Sequence, residues 1–471
     1  MKSLILIFFF LSFSIFANDL PELGSSADNL LSSKDEKRIK FEILNRVNQS
    51  NQLIDDPEIN DYLNQIGKKL SIDGTKEKPD ILFFIVNDSS INAFAMLGGI
   101  IGVHSGLMLA ANSESELASV LSHEIAHITQ KHLLRLFESQ QKNSFKSYIG
   151  LAIAILAARS SPQLANSAII ISQAAGVQDA LDYTRSNEKE ADSIGLEILN
   201  KSGYDPKGFV DFFKTLQKFN EFVSGTAPSF LRTHPITVDR ISDIQNRIKD
   251  YSFIQRANSL DFYLTKSKLK VIVGDINTLS SNFERKIATK TYFNRIAELY
   301  GLTYAYLSEK RNNEALKTFQ LILKENINHP MLIELEARVL ISNNNFNEAQ
   351  KLYYRGLETF PNYRAFIYGL SNILIYRNQT KDAIELIKKY QSAYGEDPKL
   401  FKLLSEAYAK NDEDLLQFES LSDFFYYRYD IQAAITQMDM ATKAKKGTFY
   451  DKSRVEYRLQ ELKREFELIN I

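Results

Sequence analysis

Cysteine is absent from all 471 residues. No disulfide can staple the fold, no thiolate can serve a metal, and no N-terminal cysteine can carry a lipid. Stability must therefore rest on packed cores alone. A basic excess is missing too, since 57 Lys plus Arg stand against 58 Asp plus Glu for a net charge of -1. That balance gives no sign of a nucleic-acid partner, which would need surplus cations to neutralise phosphates. Also lacking is any uninterrupted apolar run of about 18 residues, the least a membrane-spanning helix requires. The charged share of 24% and apolar share of 44% are those of an ordinary soluble protein. The chain is too long for one core, so two or three domains are expected.

What is present begins at the N-terminus. Met1-Lys2-Ser3 precedes an apolar stretch from Leu4 to Phe16, interrupted only by Ser12 and Ser14 and closed by Ala17 and Asn18-Asp19. A basic start, a short apolar run and a small residue before polar sequence describe a secretory signal peptide over residues 1–17. A retained anchor is the alternative, but the run falls short of the ~20 residues needed to span a bilayer. The protein is thus expected to be exported.

Residues 18–250 read as mixed α and β. Ile39, Ile43, Val47, Tyr62, Ile66 and Leu70 have helical spacing, predicting helix over 36–71. Ile81–Val86 and Ile100–Val103 are compact apolar runs bounded by turn residues, hence strands. A helix start at Asn112–Glu116 leads into a helix expected to reach about Leu136. Residues 144–177 are apolar and rich in small side chains, split by Arg159-Ser160-Ser161-Pro162. They read either as a buried helical hairpin or as a mobile lid.

From 251 to 471 the pattern is nearly continuous helix. Ala315, Ala349 and Ala383 recur at 34-residue intervals, and Pro330, Pro361 and Pro398 fall near the ends of the units. That period, with a small residue where two helices cross, is the tetratricopeptide signature. Gln432-Ala433-Ala434-Ile435 lies one and a half periods beyond Ala383, so the array there is expected to be interrupted or capped by atypical helices. The fold class expected is α+β, with an active-site helix beside a small sheet, followed by an all-α solenoid.

The chemistry concentrates in His123-Glu124-Ile125-Ala126-His127. On a helix, residues i and i+4 share a face, so both imidazoles can reach one zinc ion. Glu124 is then placed to take a proton from water as general base. Catalytic zinc needs a third protein ligand. His132 would rotate off the metal face of a continuous helix. Asn187-Glu188-Lys189-Glu190-Ala191-Asp192 offers Glu188 and Asp192 on one face, with Glu190 pointing away. Acidic first turns also arise simply from the helix dipole, so spacing alone leaves the third ligand open.

These motifs resemble the gluzincin peptidases related to HtpX and the type 1 CAAX prenyl proteases, which pair HExxH with a downstream E-x-x-A-D. Ile91–Ala95, Gly98-Gly99 and Ser105-Gly106-Leu107 extend the likeness. The opening Leu20–Gly24, Arg232-Thr233-His234-Pro235 and the C-terminal repeats are similar to the periplasmic, repeat-bearing β-barrel assembly-enhancing branch of that family. The resemblance implies one zinc held by His123, His127 and Glu188, with Glu124 as base and Asp192 supporting a ligand. It also implies that His234 can fill the open zinc position and hold the enzyme latent. The expected protein is a periplasmic endopeptidase acting on unfolded or misassembled outer-membrane proteins. Its repeats would meet the outer-membrane β-barrel assembly machinery, with peripheral association with the outer membrane. Gly98–Val103 is expected to be an edge strand that binds extended substrate through its backbone. The competing reading is a chaperone-like adaptor whose zinc is structural.

Overall fold

The structure is a computed structural model describing residues 32–139, 177–222 and 229–470, apart from 51, 253 and 255. The signal peptide and, up to residue 176, the apolar 144–177 segment lie outside the described residues, and with them the choice between hairpin and lid.

The helical stretch expected over 36–71 is two helices, α1 (Ser33–Gln49) and α2 (Pro57–Gly74). Asp56 caps α2 by accepting from the N–H groups of Glu58 and Ile59, and Pro57 opens it, a combination that starts a helix afresh. Between them Leu53 bridges to Val86. The sheet has three strands, β1 (Leu82–Val86), β2 (Ala93–Met96) and β3 (Ile100–His104). Their order is β1-β3-β2, with β1 parallel and β2 antiparallel to β3. The β2–β3 hairpin turns through Gly98 and Gly99 at φ +80° and +69°, a region side chains disfavour.

This order corrects the expected edge strand. β3, which contains Ile100–Val103, is buried along its whole length in the centre of the sheet. The edges are β1, whose outer side is met by the Leu53 bridge, and β2, which packs beside α4. Its alanines give a weak strand signal, and the hairpin that folds it outside β3 is a tertiary choice.

After α3 (Ser105–Ala110) comes α4 (Glu114–Thr129), capped by Ser113 accepting from the Glu116 N–H. α4 stops well before Leu136. Lys131 adopts φ 52°, which no continuing α-helix tolerates, and α5 (His132–Ser139) starts anew. Then follow α6 (Val177–Lys201), α7 (Gly208–Phe222), α8 (Ser229–Thr233) and α9 (Val238–Ile248). Leu63, Ile85, Val103, Leu121, Ile125 and Leu199 lie in one buried core with α4 at its centre.

α10 (Leu260–Val273) belongs to both halves, burying Phe262 and Leu269 in that core and Leu264 and Val271 in the next. The remaining helices are α11 (Leu279–Thr289), α12 (Arg295–Ser308), α13 (Asn312–Leu323), α14 (Pro330–Ser342), α15 (Phe346–Thr359) and α16 (Arg364–Tyr376). They continue with α17 (Thr380–Tyr394), α18 (Pro398–Lys410), α19 (Asp414–Tyr426), α20 (Ile431–Thr442) and α21 (Phe449–Asn470). α13, α15, α17 and α19 begin 34 residues apart, as the alanine spacing predicts. Pro330 and Pro398 open α14 and α18, where a missing N–H costs nothing. The array is not interrupted at Ala434. α20 begins 33 residues after α18, so Ala434 belongs to the first helix of a pair, whereas Ala383 belongs to a second helix. The half-period offset is the offset between partners.

Ala315, Ala349 and Ala383 are fully buried where neighbouring helices cross. Ala349→Leu is expected to cost about 1–3 kcal/mol by overpacking against Tyr353 and Phe366, read as a lower denaturant midpoint. The solenoid is fastened to the first domain through α2 and α1. Lys268 sits between Asp56, at 2.6 Å, and Glu58, Tyr363 also reaches Glu58, and Asn48 donates to the Arg428 carbonyl at 3.1 Å. Among the described residues, no helix is long and apolar enough to cross a membrane.

Candidate active site

α4 carries His123, Glu124 and His127 on one buried flank, and α6 lies alongside it. Gly195 permits the approach, since a Cβ there would sit 3.1 Å from the His123 Cα. α6 thereby delivers Glu188 and Asp192, and the chain leaving α8 delivers His234. The ligand-type atoms of His123, His127, Glu188 and His234 all lie within 4.8 Å of one another. His127 Nε2 is 3.0 Å from His123 Nε2. Carboxylate oxygens of Glu188 are 3.5 Å from His123 Nε2, 3.4 Å from His127 Nε2 and 3.0 Å from His234 Nδ1. His234 Nδ1 is 3.4 Å from His123 Nε2.

Those separations fit a tetrahedral ion. Nitrogen and oxygen ligands about 2.0–2.1 Å from zinc stand about 3.3 Å from each other. The donor chemistry fits as well. His123 Nδ1 lies 3.1 Å from Asp192, so its proton belongs on Nδ1 and Nε2 keeps a lone pair aimed at the centre. Burial alone would raise the Glu188 carboxyl pKa, but His234, His123 and His127 pull it well below the usual carboxylate range. Burial opposes protonation of His123, yet Asp192 and Glu188 raise its pKa to about 9. This is a site asking for a cation.

A cavity of about 700 Å³ opens beside it, lined by Glu124, His127 and His234 and by Phe94, Ala95 and Met96 of β2 with Leu97 just beyond it. The edge strand and the metal-type cluster therefore share one cleft.

Residues 57–248 match Peptidase family M48, and residues 340–407 match a tetratricopeptide repeat family. The chain is 30% identical over 455 residues to the β-barrel assembly-enhancing protease of Yersinia pestis, covering 94% of this chain and 92% of that one. It is 29% identical to the protein of the same name from Escherichia coli K12, covering 96% and 93%. Over 395 residues it is 32% identical to a putative β-barrel assembly-enhancing protease of Vibrio cholerae, covering 83% and 81%. The chain belongs to the β-barrel assembly-enhancing protease family. It is a metallopeptidase with tetratricopeptide repeats, and the expected α+β domain followed by an all-α solenoid is the architecture it adopts.

Around the central cluster, the chain holds residues that spacing did not reveal. Arg240 on α9 is buried, donating to Asp192 through Nε at 2.6 Å and Nη2 at 2.7 Å. Its Nη1 reaches a Glu188 oxygen at 2.9 Å and the Pro235 carbonyl at 2.8 Å. It ties α6 to the His234 segment, and nothing local to Val238–Ile248 announces this. Burial would raise the Asp192 pKa, but Arg240 and His123 hold it below the ordinary value.

His132 does not face the cluster. It is nonetheless buried, with Nδ1 2.8 Å from His127 Nδ1 and Nε2 3.2 Å from Glu190. Arg135 grips Glu190 at 2.8 Å. Glu190, which points away from the cluster as helical phase predicts, is thus engaged behind His127. The Phe230 ring packs at a tilt against His234, with centroids 4.8 Å apart, while the Phe230 backbone N–H donates to the Ile91 carbonyl at 3.0 Å, just before β2. The segment carrying His234 is docked on the end of the edge strand.

Proposed function

We propose that this chain is a periplasmic zinc endopeptidase that cleaves misassembled outer-membrane proteins, assists their assembly, and is held latent by His234. The observation that carries the reading is the four-donor cluster of His123, His127, Glu188 and His234, facing a cleft lined by an edge strand. The names of the relatives point to the same class of work. In this reading His123, His127 and Glu188 hold one zinc, which supplies Lewis acidity to a carbonyl and makes water a nucleophile near neutral pH. Glu124 takes the proton from attacking water and returns it to the leaving amine. Asp192 fixes the His123 tautomer, and Arg240 fixes Asp192.

Extended substrate would pair with β2 in place of the Gly98–Val103 strand first expected. Backbone pairing reads an unfolded conformation more than a sequence. The repeats would present their concave face to the outer-membrane assembly machinery, with peripheral association with the outer membrane. His234 stands between Glu188 and Glu124, its Nε2 3.4 Å from a Glu124 oxygen. It occupies the space where water would meet the base. A centre with four protein donors has no open position for water, and latency follows.

His234→Ala is expected to raise proteolysis of an unfolded outer-membrane protein by about 10-fold or more, since a minor open state is typically 0.1–10% populated. Zinc content should not change. The closed donor set also favours one other reading, an adaptor with structural zinc. Zinc retained without any gain in cleavage would sink the latch and support the adaptor.

A further inference from the structure

The two histidines of the HExxH helix are backed differently. His123 presents Nδ1 directly to a carboxylate, Asp192 at 3.1 Å, which Arg240 grips from behind at 2.6 Å and 2.7 Å. Among the described residues, His127 has no carboxylate at its Nδ1. Behind it stands His132 at 2.8 Å, then Glu190 at 3.2 Å, then Arg135 at 2.8 Å from Glu190. Both chains end in a carboxylate held by arginine. The second has one imidazole inserted.

Proton bookkeeping makes the inserted ring directional. His127 turns Nε2 toward His123 and Glu188, so a cation held there requires a lone pair on Nε2 and the proton on Nδ1. That Nδ1–H must donate to His132 Nδ1, which therefore carries no proton. His132 is then protonated on Nε2, which donates to Glu190. The opposite arrangement, with His132 donating to His127, would point an N–H into the centre. Glu190 selects between the two, because an acid with its anionic oxygen at His132 Nε2 demands the proton there. Arg135 keeps that oxygen in place by also bonding Asn187, at 2.9 Å, next to Glu188.

The backbone builds this deliberately placed ring. On an unbroken helix, residue 132 would rotate away from the face of His127. The left-handed Lys131, at φ 52°, swings His132 back behind His127, where it is only 4% exposed.

We propose that His132 is a positioning residue for metal binding: through the chain His127–His132–Glu190–Arg135 it fixes His127 in the tautomer whose Nε2 can bind a cation. The proposal rests on His127 being a zinc ligand, and its test separates the two ideas. In metalloproteins such supporting partners are typically worth 10- to 100-fold in metal affinity.

The test uses the full chain stripped of metal, with zinc affinity read by competition against a chelating dye and the cobalt(II) derivative read by its visible absorption. His132→Ala is expected to bind zinc about 10- to 100-fold more weakly and to alter the cobalt spectrum. His132→Asn keeps an acceptor oxygen near the position of Nδ1 and should recover most of the affinity. Should His132→Ala fail to fold, Glu190→Gln carries the test with an expected loss of about 10-fold. Unchanged affinity in His132→Ala or Glu190→Gln overturns the proposal. So does an equal loss in His132→Ala and His132→Asn that tracks a lower melting temperature of the metal-free protein, since that is a packing role. If His127→Ala keeps wild-type zinc affinity, the ligand assignment itself fails.

Discussion

Glu124→Gln is expected to lower peptide hydrolysis by about 100- to 10,000-fold while zinc and substrate binding persist. Glu124 is 1% exposed and follows His123 directly on α4. Its Oε1 is buried and makes no hydrogen bond, with His234 Nε2 standing 3.4 Å away in front of it. Glutamine has the same shape and no basicity, so the fold and the cluster should tolerate it while proton abstraction stops. The measurement is best made with His234→Ala as the background, where the proposed latch would be absent and a higher baseline rate is expected. Cleavage at an undiminished rate would remove Glu124 from its role. An unchanged cellular phenotype with lost cleavage would instead favour the adaptor.

Arg240→Ala is expected to destabilise the metal-free protein by about 3–5 kcal/mol, the usual cost of removing one partner from a buried charge cluster. The substitution strands Asp192 and Glu188, both buried, without their cation. It also frees the Pro235 carbonyl beside His234. Because Asp192 is held below its ordinary value of 3.8, its stabilising contribution is present above that pH. It fades as pH falls through the lower folded-state pKa. Denaturant unfolding should therefore show a wide gap between wild type and variant at neutral pH, narrowing below pH 3.8. A gap of similar size at all pH values would mean that packing, not charge, is what Arg240 supplies.

The parts of this site that could be read from the chain are those set by local periodicity. His123 and His127 share a face because they are four residues apart on a helix. Glu188 and Asp192 do so for the same reason, and the 34-residue alanines mark helix crossings directly. What escaped depends on chain reversals or distant pairing. Lys131 takes a left-handed conformation without being glycine or asparagine, so nothing marked the break that redirects His132. Arg240 meets Asp192 across 48 residues, a distance over which spacing carries no information. β2 is short and alanine-containing, and its place at the edge follows from pairing, since Ala93–Met96 could equally have faced another strand. Ala434 lies on the first helix of a pair and Ala383 on a second, so their spacing of one and a half periods mimics an interruption in a regular array.

A centre of three histidines and one carboxylate, closed by His234, should be visible to X-ray absorption at the zinc edge of the metal-loaded protein. One zinc per chain is expected, with four ligands at about 2.0–2.1 Å, three of them imidazoles. In His234→Ala one imidazole should give way to an oxygen of water. Only two imidazoles in the wild-type protein, with no change in His234→Ala, would rule out the closed centre.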